Sequence, residues 1–424
     1  MPRMRMTIAI AAVVAVAFSI LSPSLRAEPS ASINDTARFI AGLPPSPGSP
    51  LTAYTNDGYW KQYARGFDEA WNNLEKRQLS KISAMVSRDF HTRQSVLFYF
   101  FSGPDFLYAD AFFPSADTYV MAGLEPPGDI PDLRKFSRGE IATSLRALRS
   151  SLSSVLSYSF FRTKSMRVDF SRAKLNGTLP VLMTFLARSG KTIYDVSLFD
   201  LQSDGTLHPA EDKIANPTGK GVKIIFGDAN VGRKRTLYYF STDLSDGGIK
   251  TSGFLKFCDG LGHGDSFLKS ASYLMHSDNF STVRDYLLSH SVSLLQDDSG
   301  IPIRFFAQGW QLKPYGRYVG PISLFGGKYQ AKLNEVFGKG RATPIDFSLG
   351  YRWRPRESNI LLAIRDPSAT AFEAAPAAGM KKSDLDSGDA LGSQANADVP
   401  QRPKYRRHKE QTVNKDFQLF GYLP

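Results

Sequence analysis

Apolar positions along this chain repeat with two periods, and the change from one to the other marks helices and strands in turn. Trp60, Ala64, Phe67, Trp71, Leu74 and Ile82 recur at helical spacing. They predict a long helix over about residues 58–86, with Asp57 in position to cap it. Two short, almost wholly apolar runs follow: SVLFYFFSGPD at 95–105, broken by Gly-Pro, and TYVMAGLEPPG at 118–128. Such runs suit strands buried on both faces, with FLYADAFF a short helix between them. Ser137-Arg138-Gly139-Glu140 has capping-box spacing and opens a helix with Ile141, Leu145, Leu148, Leu152 and Val155 on one face. Another helix starts at Thr178-Leu179-Pro180 and stops at Gly190. TIYDVSLFDL, TLH, GVKIIFG and RTLYYFSTD read as further strands.

The stretch 270–300 reads as strand, helix, strand. ASYLMHS is the first strand, Ser281 caps a helix through Val283, Tyr286 and Leu287, and SVSLLQDDSG is the second strand. A unit of this length makes two parallel strands with a right-handed crossover. IPIRFFA then adds as an antiparallel edge, KYQAKLNEVFGKG is a short helix, and IDFSLGYRW with NILLAIR forms a closing hairpin. The expected fold is α/β: a largely parallel, Rossmann-like three-layer sheet with an antiparallel extension and a C-terminal hairpin. It occupies residues 51–365 as a single domain.

Composition agrees with a globular body and adds the two ends. The chain has 424 residues, and 42% are hydrophobic, enough for a substantial core. Residues 1–27 have the form of a signal peptide: Arg3 and Arg5, an uncharged apolar run over 7–21, Ser22-Pro23, then a small residue at Ala27 for cleavage. This predicts a periplasmic or secreted protein with no membrane span in the mature chain. Residues 28–50 are a proline-rich arm. Residues 366–424 are rich in Ala, Pro, Ser, Gly and Asp and are expected to be disordered. Within them Arg402, Lys404, Arg406, Arg407 and Lys409 form a basic cluster suited to an anionic envelope surface. The formal net charge is +12; export argues against nucleic acid as its partner. Cys258 is the single cysteine, so no internal disulfide forms, and its helical apolar context makes it a small buried residue.

Candidate chemistry follows from the fold. Ligands of open α/β sheets bind outside the carboxyl ends of the strands. By this reading those ends carry Ser102 and Asp105, Glu125, Ser241 and Asp243, His276 and Asp278, and Asp297 and Asp298. Asp105, Glu125, His276 and Asp278 are the candidate acid/base set; Ser102, Ser241, Asp243, Asp297 and Asp298 are candidate ligand contacts. Three functions compete: binding of a polar or anionic ligand, a hydrolase or transferase using the Asp/Glu/His cluster, and a non-catalytic scaffold tethered by the basic tail. No metal or cofactor is assigned. Gly264-Asp265-Ser266 echoes an esterase opening block, but its Asp-x-x-His partner is missing.

At FYFFSGPDFLYADAFFP, KTSGFLKFC and YGRYVGPISLF the chain resembles a group of uncharacterised exported bacterial proteins. The resemblance covers most of the mature body and not the tail. It implies a bacterial envelope setting, says nothing of reaction type, and carries over no catalytic residues.

Overall fold

The computed structural model describes residues 31–90, 94–158, 174–228, 231–338 and 340–366. The expected signal segment and the tail cluster of Arg402, Lys404, Arg406, Arg407 and Lys409 lie outside the described residues.

Neighbouring residues of the first strand face opposite cores. Leu97 and Tyr99, with Tyr119 and Met121 of the next strand, join one apolar cluster. Val96 and Phe98, with Val120 and Ala122, join the other. Every position is buried, which is why the sequence shows an unbroken apolar run where a half-exposed strand would alternate. The strands are β1 (Val96–Tyr99), β2 (Thr118–Gly123), β3 (Lys191–Leu201), β4 (Leu207–Pro209), β5 (Gly219–Asp228), β6 (Lys234–Ser241), β7 (Gly264–Leu268), β8 (Ser291–Gln296), β9 (Trp310–Gly316) and β10 (Asn359–Arg365). They form one sheet in the order β4-β3-β5-β6-β2-β1-β7-β8-β10-β9. The central strands β6-β2-β1-β7-β8 are parallel. Antiparallel pairs extend the sheet at both edges. The fold is therefore the expected α/β sandwich of three layers. Helices Ala31–Ile40, Gly58–Leu74 and Leu179–Arg188 cover one face; Phe254–Asp259 and Ser281–His290 cover the other.

Local signals account for some helix ends. The capping box forms, with Ser137 N and Oγ donating to Glu140 and Glu140 N donating to Ser137 Oγ. The long helix runs through a π-turn at Glu75–Leu79 into Ser80–Asp89. At that turn the fully buried Gln78 side chain clasps Ser348, donating to its Oγ at 2.6 Å and accepting from its N at 2.9 Å. Asp57 precedes the helix but gives its carboxylate to Arg138. Cys258 is buried in a short helix as expected. The part of the proline-rich arm described here is built into the body: Phe39, Ile40 and Ala41 are fully buried in the first core.

Several expectations need correction. The strand expected at ASYLMHS lies earlier, at Gly264–Leu268, and residues 274–280 form two 3-10 turns. Ser270, Ser272 and Tyr273 adopt left-handed φ values of 53°, 52° and 54°, which no strand can contain. Ser281 is the first helical residue, not the cap; Asp246 accepts from its Oγ at 2.6 Å and from Thr282 N at 2.9 Å. IPIRFFA is a 3-10 turn begun by Pro302, whose ring nitrogen has no proton to donate to a neighbour. The closing hairpin does not join 345–353 to β10. β10 pairs with β9 and β8, and residues 349–352 close a single isolated bridge.

Candidate functional site

The chain leaves β1 through helix Phe106–Phe112, packed in the first core, and returns as β2. It leaves β7 through helix Ser281–His290, packed in the second core, and returns as β8 on the opposite side. The two connections part between β1 and β7, so their carboxyl ends frame the crevice where such sheets bind ligands.

Backbone strain collects at the same place. Four of the six non-glycine residues with positive φ among the described residues are in these two loops: Phe101 after β1, and Ser270, Ser272 and Tyr273 after β7. Each costs about 1–2 kcal/mol and persists only where neighbours over-determine it. The neighbours are specific. Ser270 N donates to Asp297 Oδ2 at 2.9 Å, Ala271 N donates to Ser299 Oγ at 2.8 Å, and Tyr351 Oη donates to the Ser270 carbonyl at 2.8 Å. Gly350 makes room for this packing, since a Cβ there would lie 1.9 Å from Asp297 Oδ2.

A buried ion pair bridges the crevice. Lys269, the first residue after β7, places Nζ 2.7 Å from Asp105 Oδ2, and the two side chains are 2% and 1% exposed. Tyr99 donates to the same oxygen at 2.7 Å, Tyr108 N donates to the other at 3.3 Å, and the Lys269 ammonium rests 4.1 Å from the Tyr108 ring centre. Burial raises the Asp105 pKa, against the pull of Lys269. Behind it stand Asp297 and Asp298. Asp297 accepts from Ser270 and Ser299; Asp298 accepts from Tyr273 Oη at 2.6 Å and Asn359 Nδ2 at 3.1 Å. Burial, then the Asp298 charge, pushes Asp297 up to about 6, and burial raises Asp298 too. These carboxylates are enclosed and hydrogen-bonded, so they brace the two loops.

The outer part of the edge differs in sign. His276 is pushed down to about 3 by burial first and then by Lys328, Arg304 and Arg284, while the Gly300 backbone pulls the other way. Its Nε2 is enclosed without a hydrogen-bond partner. The Arg284 and Arg304 guanidiniums lie 3.8 and 4.7 Å from the Phe305 ring centre, which holds two like charges close together. Burial and then Arg284 lower the Arg304 pKa, and Asp278 raises it. Arg284 Nη1 donates to both the Met275 and Ser277 carbonyls, and its Nε is 3.6 Å from Asp285 Oδ1. Arg304 and Lys328 have no ion pair among the described residues.

The remaining sequence-chosen residues divide. Ser102 donates to the Gly103 carbonyl at 2.8 Å, beside Asp105. Glu125 Oε2 approaches Gly123 and Gly103 at the end of β2. Asp278 is exposed. Ser241 and Asp243 end β6, three strands from β7, about 14 Å away at the usual spacing. There Ser241 Oγ donates to the Leu124 carbonyl and Asp243 caps the Ser245 turn. Ser266 Oγ is fully buried against Ser291 Oγ at 2.6 Å, which removes the esterase echo. Among the described residues no three His, Cys, Asp or Glu side chains come together as a metal-binding group. Sequence reading missed Lys269, Tyr99, Arg284, Arg304 and Lys328. Lys269 was legible as the charge ending the buried run GDSFL, had the strand been placed there.

Searches of protein-family models, curated proteins and solved structures return no match to this chain.

Proposed function

We propose that this protein binds an anionic ligand at the carboxyl edge of β1, β7 and β8, received by His276, Arg284, Arg304 and Lys328, in the bacterial envelope to which its first 27 residues would direct it. The observation that carries the reading is the His276 Nε2, enclosed without a partner and surrounded by cations, two of which lack ion pairs. Like charges held together in a partly dehydrated place are costly alone and are relieved by an anion. The alternative is a hydrolase or transferase acting through Asp105, Glu125, His276 and Asp278. Binding is favoured over it because Asp105 is closed in its ion pair and the leading charges on His276 are cationic. The scaffold reading rests on tail residues beyond the described ones.

The test is a thermal-shift measurement of the full chain with millimolar phosphate and citrate. A ligand at 100 times its Kd stabilises the native state by about 2.7 kcal/mol. Stabilisation is expected in wild type and in the Arg134→Gln control, and is lost in Arg304→Gln and Lys328→Gln. Equal shifts in all four proteins would rule this site out.

A further inference from the structure

A second surface lies beside that edge and shares only Lys328 with the anion site. Four of the seven large apolar side chains exposed among the described residues belong to it: Val319, Leu324, Tyr329 and Trp353, the last 57% exposed. They come from two segments that pack together. Phe325 lies 5.5 Å from the Tyr351 ring, Tyr318 stacks on Tyr329 at 5.7 Å, and Arg352 donates to the Gly320 carbonyl. The Arg354 guanidinium sits 4.3 Å from the centre of the Trp353 ring.

The charge of this surface is as uneven as its apolarity. Between residues 313 and 357 the sequence carries nine Lys and Arg against three Asp and Glu, a net +6, which is half of the +12 of the whole chain. Charge that serves solubility is interspersed in sign. Here Arg317, Lys328, Arg354 and Arg356 are exposed around the apolar group.

We infer that this face docks on an anionic lipid surface. Cations draw the protein to lipid headgroups, Trp353 and Tyr329 suit the interfacial zone, and Val319 and Leu324 gain by entering the acyl boundary. Single-stranded nucleic acid fits less well, because it rewards rings that stack on bases and gives nothing to exposed Val and Leu. No helix among the described residues is long and apolar enough to cross a membrane, and docking of this kind needs none.

The test is sedimentation of the full chain with vesicles of phosphatidylglycerol and phosphatidylcholine in equal parts, and with phosphatidylcholine alone, at fixed salt. Binding is expected to the first and not to the second. Arg354→Gln with Arg356→Gln should weaken it by about fivefold per cation. Leu324→Ser with Trp353→Ser should weaken it roughly tenfold or more. Replacing Arg402, Lys404, Arg406, Arg407 and Lys409 by Gln should leave most of the binding in place. The emission of wild type should shift to the blue on vesicles, and that of Trp353→Phe should not. The inference is overturned if the apolar double variant binds like wild type, if the tail variant alone abolishes binding, or if wild type ignores vesicles while binding an oligothymidylate. Retained phosphate stabilisation in the Arg354/Arg356 variant would separate this surface from the anion site.

Discussion

Removing the Lys269 ammonium while leaving Asp105 is the sharpest perturbation of the crevice. In Lys269→Met a carboxylate that is 1% exposed loses the cation 2.7 Å away. At that distance two charges attract by about 6 kcal/mol with an effective dielectric near 20. The mutant has an escape, because Asp105 can take a proton. Protonation costs about 1.4 kcal/mol for each pH unit above the unfolded value near 3.9. The charge part of the penalty is thus capped at about 5.6 kcal/mol at pH 8 and about 1.5 at pH 5. Breaking a buried pair from one side ordinarily costs about 3–5 kcal/mol, within the first limit. Burial already raises the Asp105 pKa, and loss of Lys269 raises it further. The destabilisation is therefore fullest at high pH and shrinks as pH falls towards the unfolded value. Urea denaturation of the full chain at pH 8 and pH 5 reads this directly. Asp105→Asn combined with Lys269→Met should recover at least half of the loss at pH 8, since no lone charge remains. A loss equal at both pH values, or a double variant no better than the single, would refute the charge argument.

Other sites give independent checks. Gly350→Ala and Gly340→Ala both place a side chain at positive φ, 63° and 70°, but only the first meets Asp297, so its melting temperature should fall further and the difference isolates the clash. Asp246→Ala should cost about 1–2 kcal/mol by uncapping helix Ser281–His290. Burial raises the Asp246 pKa, but the bonds from Ser281 and Thr282 outweigh it and hold it low, so that stability is present above the unfolded pKa and lost as pH falls through the folded one; denaturation at pH 7 and pH 3 measures both. His276, held near 3 by burial and then by its cationic neighbours, stays neutral in the fold, so the unfolded chain binds its proton first and stability falls as pH drops from about 6.5 towards 3. An NMR titration of His276 should show no transition between pH 5 and 8, and a midpoint near 6.5 would contradict the assigned surroundings.

Residues 270–276 show why part of the site stayed hidden in the sequence. ASYLMHS has the composition of a strand, and composition cannot report that Ser270, Ser272 and Tyr273 turn left-handed. Those angles are imposed by Asp297, Ser299 and Tyr351, which are remote in sequence. Shifting the strand to Gly264–Leu268 moves Lys269 from the middle of a connection to the strand's end, where it meets Asp105. Ser102, Asp105, Asp297 and Asp298 were found because a placement rule needs only strand ends and direction. Arg284, Arg304 and Lys328 follow no such rule: they come from an α-helix and two separate 3-10 turns that converge only once folded.

By itself the sequence determined the layering. Unbroken apolar runs with helical stripes between them leave a strand no stable place except between two covered faces, since each exposed apolar side chain forfeits roughly 1.5–3 kcal/mol. Strand order, the parting of the chain between β1 and β7, and the pairing of Lys269 with Asp105 were decided by the tertiary structure alone. Apolar burial is a property of each residue and is written locally. The choice of neighbour depends on how loops close and which buried charges neutralise one another, and both are settled between residues more than a hundred positions apart.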